Sequence, residues 1–293
     1  MFGISLPQSF YQMNTIFISI LIEALPFVTL GVIISGIIQI FVTEDMIAKI
    51  MPKNRILAVI FATFMGILFP SCECGIVPIV SRLVSKGVPI SAGIAFMLTA
   101  PIINPVVLFA TYIAFGSDWK IAVYRSIGAI AVALVVGIFI AYGYKGNPFK
   151  EQHDHHHHEK TSFWKKVWQT LEHAVAEFFS MGKYLIIGSL IAAAVQTYVK
   201  TSVLVSIGQG PVSSSLVMMF LSFILSLCSE ADAFIASSFR TTFATGSLLA
   251  FLIFGPMVDI KNLLMMLAAF KKRLVFMIVG GVTVCVFVYS LLF

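Results

Sequence analysis

Long apolar runs alternate along the chain with short polar breaks, and the longest runs have the length of membrane-crossing helices. Residues 14–42 and 119–144 each exceed the roughly 20 apolar residues that an α-helix needs to cross a bilayer. Residues 90–99 and 106–115 are too short to cross singly, and the proline-containing residues 101–105 join them. The pattern predicts an all-α polytopic membrane protein with discontinuous or re-entrant helices.

Residues 69–108 carry groups that are out of place in an uninterrupted membrane helix. The segment contains Cys72, Glu73, Cys74 and five prolines. Non-helical backbone at membrane depth is tolerated only where protein or a water-filled cavity covers it. An ionised carboxylate at a helix centre costs about 2.5–3.5 kcal/mol on insertion scales. We therefore expect this segment to line a pathway through the membrane.

A short helix is predicted to follow the paired thiols. The sequence favours a helix from Ile76 to Lys86, with Pro78 in the first turn, where proline is tolerated. Arg82 and Lys86 are four positions apart and would share one helix face. Glu73 therefore has two interpretations, since it either faces the pathway or pairs with one of these bases.

The second half of the sequence repeats the first. Cys228 follows Cys72 by 156 positions, and Pro256 follows Pro101 by 155 positions. Landmarks with a nearly constant offset indicate a duplicated unit rather than chance similarity between apolar runs. The predicted divisions are a first membrane repeat at residues 1–144, a cytoplasmic linker at 145–166 and a second membrane repeat at 167–293.

Loop charge predicts that the two halves face opposite ways. Residues 43–55 carry three bases, whereas their repeat equivalents, residues 200–210, carry only Lys200. Cytoplasmic loops are enriched in Lys and Arg, which places the first loop inside and the second outside. Lys120 and Arg125 oppose this placement because they would fall near the outer face. The prediction is two inverted-topology repeats of about five helices each, an arrangement typical of secondary transporters with a midplane site. The Cys72 and Cys228 segments are expected to meet at that site from opposite sides.

Composition agrees with a multi-pass protein of the cell membrane. The 293 residues are 59% hydrophobic and 11% charged, whereas soluble domains carry roughly 25% charged residues. The net charge of +6 is explained by loop bias rather than by nucleic-acid binding. No base precedes Lys49, so we expect the first apolar run to be retained rather than cleaved as a signal peptide.

The candidate site combines thiols with oxygen ligands. Thiolates select Cu(I), Zn and other thiophilic species, whereas carboxylates are hard ligands. Cys72 and Cys74 can converge on one atom at a turn or helix end, and Cys228 adds a third thiol. Glu230 and Asp232 have the alternative of a cytoplasmic loop. The candidate substrate-binding residues are Cys72, Glu73, Cys74, Asn104, Cys228, Glu230 and Asp232, and the three cysteines are also the candidate metal ligands.

Other polar residues in the apolar segments have structural interpretations beside functional ones. Asn104 either presents its carbonyl to a substrate or ties the turn between the prolines that flank it. Asp259 and Lys261 are interpreted as a structural ion pair. Glu23 either hydrogen-bonds a neighbouring helix or faces the pathway, and Cys285 is interpreted as plain packing.

The linker contains a histidine-rich tract. Such tracts suggest metal binding on composition alone, and the alternative is a solvated linker. In the first interpretation the tract is an auxiliary buffer or sensor of a transition metal, outside the transport path. We predict no resident cofactor apart from a bound transition metal. The histidines are His153, His155, His156, His157 and His158.

Four segments resemble a known family. Residues 70–79, 86–89, 100–105 and 228–236 are similar to the signature segments of the bacterial predicted permeases whose best-known members are organoarsenical efflux permeases. The resemblance implies an inner-membrane permease and, in the characterised branch, export of trivalent organoarsenicals. The histidine-rich linker is not associated with that branch and keeps a transition-metal substrate in contention.

The predicted function is therefore a permease that moves a thiophilic metal or an organometalloid through the lipid bilayer. The alternatives are a zinc-like transporter and a membrane subunit that works with an accessory membrane protein or as a homo-oligomer. An enzyme is not expected, because neither a C-x-x-C nor an H-E-x-x-H motif occurs. No G-x-x-x-x-G-K-[ST] loop occurs either, so ATP coupling would require another chain.

Overall fold

The computed structural model describes residues 8–69, 72–149, 163–198 and 210–293. Within these ranges the secondary structure is α-helical apart from one 3₁₀ turn and one isolated bridge between Phe149 and Phe270. The predicted all-α class is confirmed. The helices are α1 Gln8–Phe41, α2 Glu44–Ile50, α3 Arg55–Met65, α4 Glu73–Ser85, α5 Ile90–Ile103, α6 Pro105–Ala114, α7 Trp119–Gly143, α8 Phe163–Tyr198, α9 Pro211–Leu225, α10 Ser229–Ser238, α11 Thr245–Met257, α12 Ile260–Ala269 and α13 Lys272–Ser290.

The described helices confirm a multi-pass membrane protein. Five segments are long and apolar enough to cross a bilayer, and α5 with α6 forms a sixth candidate that bends by 41°. A bend of this size keeps the chain running in the same general direction, so the pair is a broken helix rather than a hairpin. The five segments are Gln8–Ile38, Trp119–Gly143, Ala174–Tyr198, Thr245–Ala269 and Lys272–Ser290.

Helices of the two halves correspond in order and in packing. The starts of α9, α10, α11 and α12 follow those of α3, α4, α5 and α6 by 155 or 156 positions. Packing is matched as well, since α3 lies against α5 as α9 lies against α11, and α4 meets α12 as α10 meets α6. The inverted orientation of the halves and the division into two repeats and a linker stay predictions.

Both broken helices are interrupted three residues after a proline. Asn104 precedes Pro105, and a residue before proline is driven out of the helical region, which explains its extended ψ of 150°. In the second half, Asp259 is likewise extended and is the N-cap of α12. Pro101 and Pro256 lie inside α5 and α11. Each break leaves a new helix N-terminus inside the protein.

Helix α4 begins earlier than the sequence indicates. Its first residue is Glu73 rather than Ile76, so Pro78 lies inside the helix instead of in its first turn. The end of α4 is well defined, because Gly87 has a φ of 102° and the N–H of Val88 bonds to the carbonyl of Leu83. This is a Schellman ending, which glycine favours.

Helices α1 and α4 cross in backbone contact. A Cβ atom placed on Gly31 would lie 2.5 Å from the carbonyl oxygen of Gly75, so neither position has room for a side chain. The crossing fixes the first turn of α4 against α1.

Candidate functional site

The N-termini of α4 and α10 meet inside the protein. Cys72 is the N-cap of α4 and Cys228 is the N-cap of α10, where its sulfur accepts a hydrogen bond from the N–H of Ala231 at 3.5 Å. The first residues of the two helices touch, because the Ser229 hydroxyl donates to Oε2 of Glu73 at 3.4 Å. The prediction that these two segments meet is confirmed. Two helix N-termini at one place favour negative charge there.

Glu73 is paired from the opposite half of the chain. Its Oε1 lies 4.0 Å from Nζ of Lys261, and the same ammonium lies 3.9 Å from Oδ2 of Asp259. All three side chains are buried. Arg82 lies nine residues further along α4, which is about 13 Å along a helix axis. The predicted ion pair between Asp259 and Lys261 is present, and Glu73 joins it to form a triad of charged side chains.

The two helix breaks are closed by equivalent capping residues. Oδ1 of Asn104 accepts from the N–H of Val107 at 3.0 Å, and its amide group donates to the carbonyl of Ala100 at 3.2 Å. Oδ1 of Asp259 accepts from the N–H of Asn262 at 2.6 Å. Asn104 therefore ties its turn, as one of its two interpretations predicted, and a contact with substrate stays a prediction.

A buried arginine belongs to the same region. Arg125 is 0% exposed and donates to the Thr111 hydroxyl at 2.7 Å and to the carbonyl of Ser229 at 3.1 Å. Its guanidinium also attracts the carboxylates of Asp232 and Glu230. Arg125 is thus enclosed by the protein, and its depth relative to the outer face of the membrane stays a prediction. The sequence signal for this buried, hydrogen-bonded side chain was an arginine inside an apolar run.

The carboxylate of Asp232 is buried, and the described residues give it no hydrogen-bond donor. It is 1% exposed, and neither carboxylate oxygen has a hydrogen-bond partner among the described residues. A Cβ on Gly255 would lie 2.9 Å from its Oδ2, so glycine at that position leaves room for the carboxylate. Asp232 and the half-buried Glu230 lie in the first turn of α10, and the alternative of a loop is wrong.

The three cysteines of the candidate site are free thiols. Cys72 is the N-cap of α4 and Cys74 lies in its first turn, and Cys72 is half-buried whereas Cys74 is buried. The sulfur of Cys228 accepts the cap hydrogen bond from Ala231, and both interpretations of Glu23 stay predictions. Across the described ranges, no three His, Cys, Asp or Glu side chains form a group able to hold a metal ion. The three-cysteine ligand set therefore stays a prediction.

Cys72 opens to an apolar crevice of about 190 Å³ between α1 and the start of α4. The surrounding residues are Phe27, Leu30, Gly31, Ile34, Leu68, Phe69, Cys72 and Gly75. An apolar cavity of about 150 Å³ can bind benzene. The crevice therefore offers space for one aromatic or aliphatic substituent beside a thiol.

The histidine-rich tract lies outside the described residues. Its interpretation as an auxiliary metal-binding tract therefore stays a prediction. Within the described residues, the site is built at four helix N-termini, those of α4, α6, α10 and α12. It gathers thiols, carboxylates and two buried bases in one interior region.

Comparison with known proteins shows that nearly the whole chain matches one protein family. The family model ArsP_1, described as a predicted permease, matches residues 9–293. The UPF0718 protein YcgR of Bacillus subtilis is 64% identical over 97% of this chain and 98% of its own length. A Streptococcus mutans protein, provisionally named a two-component membrane permease complex subunit, is 49% identical over 98% of this chain and 96% of its own length.

A more distant relative matches part of the chain. The UPF0718 protein MJ0584 of Methanocaldococcus jannaschii is 22% identical over 47% of this chain and 38% of its own length. No solved structure matches the chain.

Proposed function

Because the chain belongs to the predicted permease family, we propose that it is a secondary transporter of a thiophilic metal or metalloid species, with Cys72 and Cys74 as the soft ligands. The observation that carries the proposal is the position of both thiols at the N-terminus of α4, where the two halves of the chain meet. Soft sulfur ligands select thiophilic species.

The crevice beside Cys72 favours a substrate with an organic group. Its lining is almost entirely apolar, including Phe27, Leu30 and Phe69. A bare hydrated ion gains nothing from such a surface, whereas a methyl or phenyl substituent loses contact with water there. A trivalent organoarsenical combines two thiol-binding positions with one such substituent.

The buried carboxylates favour a second candidate, a zinc-like divalent cation. Glu73, Asp232 and Asp259 are hard oxygen ligands in the same interior region as the thiols. Zinc binds mixed sulfur and oxygen ligands. The two candidates differ in the charge of the species that enters the site.

Accumulation measurements in cells decide between the candidates. Cells with and without the chain are exposed to phenylarsine oxide or to Zn²⁺, and the arsenic and zinc that they hold are measured. Lower arsenic in cells with the chain supports organoarsenical export. A change in zinc alone supports the second candidate, and equal content of both elements would contradict the proposed substrate class.

A third proposal is that the chain works as a subunit beside a second membrane protein. The name of the Streptococcus mutans relative describes a two-component complex. Transport into liposomes containing only the purified chain tests this dependence. Substrate movement by the chain alone would exclude an obligatory partner, and movement that requires a second protein would establish one.

A further inference from the structure

Glu73 lies between the two thiols in sequence, but its carboxylate is held by the other half of the chain. Oε1 is 4.0 Å from Nζ of Lys261, and Oε2 accepts from the Ser229 hydroxyl at 3.4 Å. The Glu73 and Lys261 side chains are only 1% and 4% exposed. Both carboxylate oxygens therefore have protein partners in a place where water does not replace them.

Lys261 is anchored from a second side. Its ammonium lies 3.9 Å from Oδ2 of Asp259, which is fully buried. Removing one member of a buried ion pair leaves an uncompensated charge, so the pair resists separation. Position 106 is the repeat equivalent of Lys261 and is a valine, so the helix break itself does not require a lysine.

We propose that Lys261 sets the selectivity of the thiol pair by keeping Glu73 out of the ligand set. With Glu73 engaged, Cys72 and Cys74 offer two sulfurs and no adjacent carboxylate. Such a site suits a neutral acceptor that needs two thiols and disfavours a divalent cation that needs further ligands. The inference rests on the proposed role of Cys72 and Cys74 as ligands.

The two probes differ in what they require of Glu73. Phenylarsine oxide forms two As–S bonds, and its oxygen leaves as water with the two thiol protons. Cd²⁺ forms two Cd–S bonds, releases two protons to solvent and completes its coordination with further ligands such as a carboxylate. Deprotonation of the same two thiols is common to both reactions. Any effect of Lys261 on the thiols themselves therefore cancels in the ratio of the two affinities.

The test measures the affinity ratio in the purified full-length chain in lipid nanodiscs. Affinities for Cd²⁺ and phenylarsine oxide come from protection of the half-buried Cys72 against maleimide, followed by peptide mass spectrometry. We expect Lys261→Met to raise the affinity for Cd²⁺ relative to phenylarsine oxide by about tenfold, which is 1.4 kcal/mol. Lys261→Arg should keep the wild-type ratio, as should Lys120→Met, which removes an exposed lysine.

A double variant shows whether Lys261 acts through the carboxylate. In a Glu73→Gln background, Lys261→Met should leave the ratio unchanged, because position 73 no longer carries a carboxylate that can join the thiols. A ratio that rises equally in both backgrounds overturns the inference, and so does an unchanged ratio in Lys261→Met alone. A wild-type chain that binds neither probe would contradict the proposed thiol site itself.

Asp259→Asn supplies a second test if Lys261→Met does not fold. Asparagine caps the equivalent helix at position 104, so the substitution suits the break. Lys261 then has Glu73 as its remaining partner in the triad, and we expect the ratio to fall below the wild-type value. A ratio at or above the wild-type value would overturn the inference.

Discussion

The first half of the chain places Cys72, Glu73 and Cys74 at the start of α4, while the second half places Cys228 and Ser229 at the start of α10. The helix breaks that follow are closed by an asparagine in the first half and by an aspartate in the second. The backbone arrangement is thus shared, whereas the side chains are not. Duplication supplies the helix N-termini, and substitutions within each copy supply the chemistry.

The largest effect is expected from the paired thiols of the first half. Cys72→Ser and Cys74→Ser each remove a soft ligand, so transport should fall to background without loss of the protein from the membrane. Cys228→Ser should retain measurable transport, because Cys228 caps α10 through the N–H of Ala231, and a serine hydroxyl can accept the same hydrogen bond. Transport in proteoliposomes is the measurement.

Cys285→Ser is the matched control for these variants. Cys285 is a half-buried residue of α13 and is interpreted as packing. Its substitution should leave transport unchanged. Full activity of both Cys72→Ser and Cys74→Ser would exclude the ligand role of the thiol pair.

The next largest effect is expected at Arg125, which hydrogen-bonds to residues of both halves of the chain. Arg125→Met removes two hydrogen bonds and the positive charge that faces Asp232. Breaking a buried pair from one side costs about 3–5 kcal/mol. We expect a loss of that size in the free energy of unfolding, measured by SDS titration in mixed micelles.

The double variant Arg125→Met with Asp232→Asn sharpens this prediction. Removing both charges avoids the uncompensated carboxylate, so a large part of the lost stability should return. Equal stability of the single and double variants would show that the loss comes from the hydrogen bonds to Thr111 and Ser229 instead.

A smaller effect is expected at the cap of the first break. Asn104→Ala removes the acceptor for the N–H of Val107, and loss of an N-cap side chain costs about 0.5–2 kcal/mol. Thermal unfolding should show the loss, while the Cd²⁺ to phenylarsine oxide affinity ratio stays at the wild-type value. A shifted ratio would indicate that Asn104 contacts substrate.

The smallest effect on basal transport is expected from the linker. Deletion of residues 151–159 removes the histidine-rich tract, and basal transport should persist because the thiol pair remains. The dependence of transport on cytosolic metal should change. Loss of all transport on this deletion would place the tract in the transport machinery.

The sequence predicted the broken helices from their prolines, which are local signals, and the meeting of the Cys72 and Cys228 segments from the constant offset of the internal repeat. It did not predict that Lys261 pairs with Glu73. That pairing joins positions far apart in the chain, which neither hydrophobic periodicity nor spacing specifies. The available sequence signal was that the repeat equivalent of Lys261 is the apolar residue Val106.

Two further differences have local causes. The sequence placed the start of α4 after the thiols because Pro78 was assigned to the first turn, but one proline within a packed helix did not end it. Arg125 was placed by loop charge near the membrane surface. The structure encloses its guanidinium within the protein, where two of the three nitrogens donate to Thr111 and to the carbonyl of Ser229.

The crossing of α1 and α4 limits how the protein can rearrange. Gly31 and Gly75 allow backbone to touch backbone, and no side chain separates the two helices at this point. Packed helices slide past each other only slightly, while larger hinge motions occur at helix ends and loops. Cys72 and Glu23 would therefore travel together during any change of access, and the thiols would be exposed to either side by displacement of this whole unit.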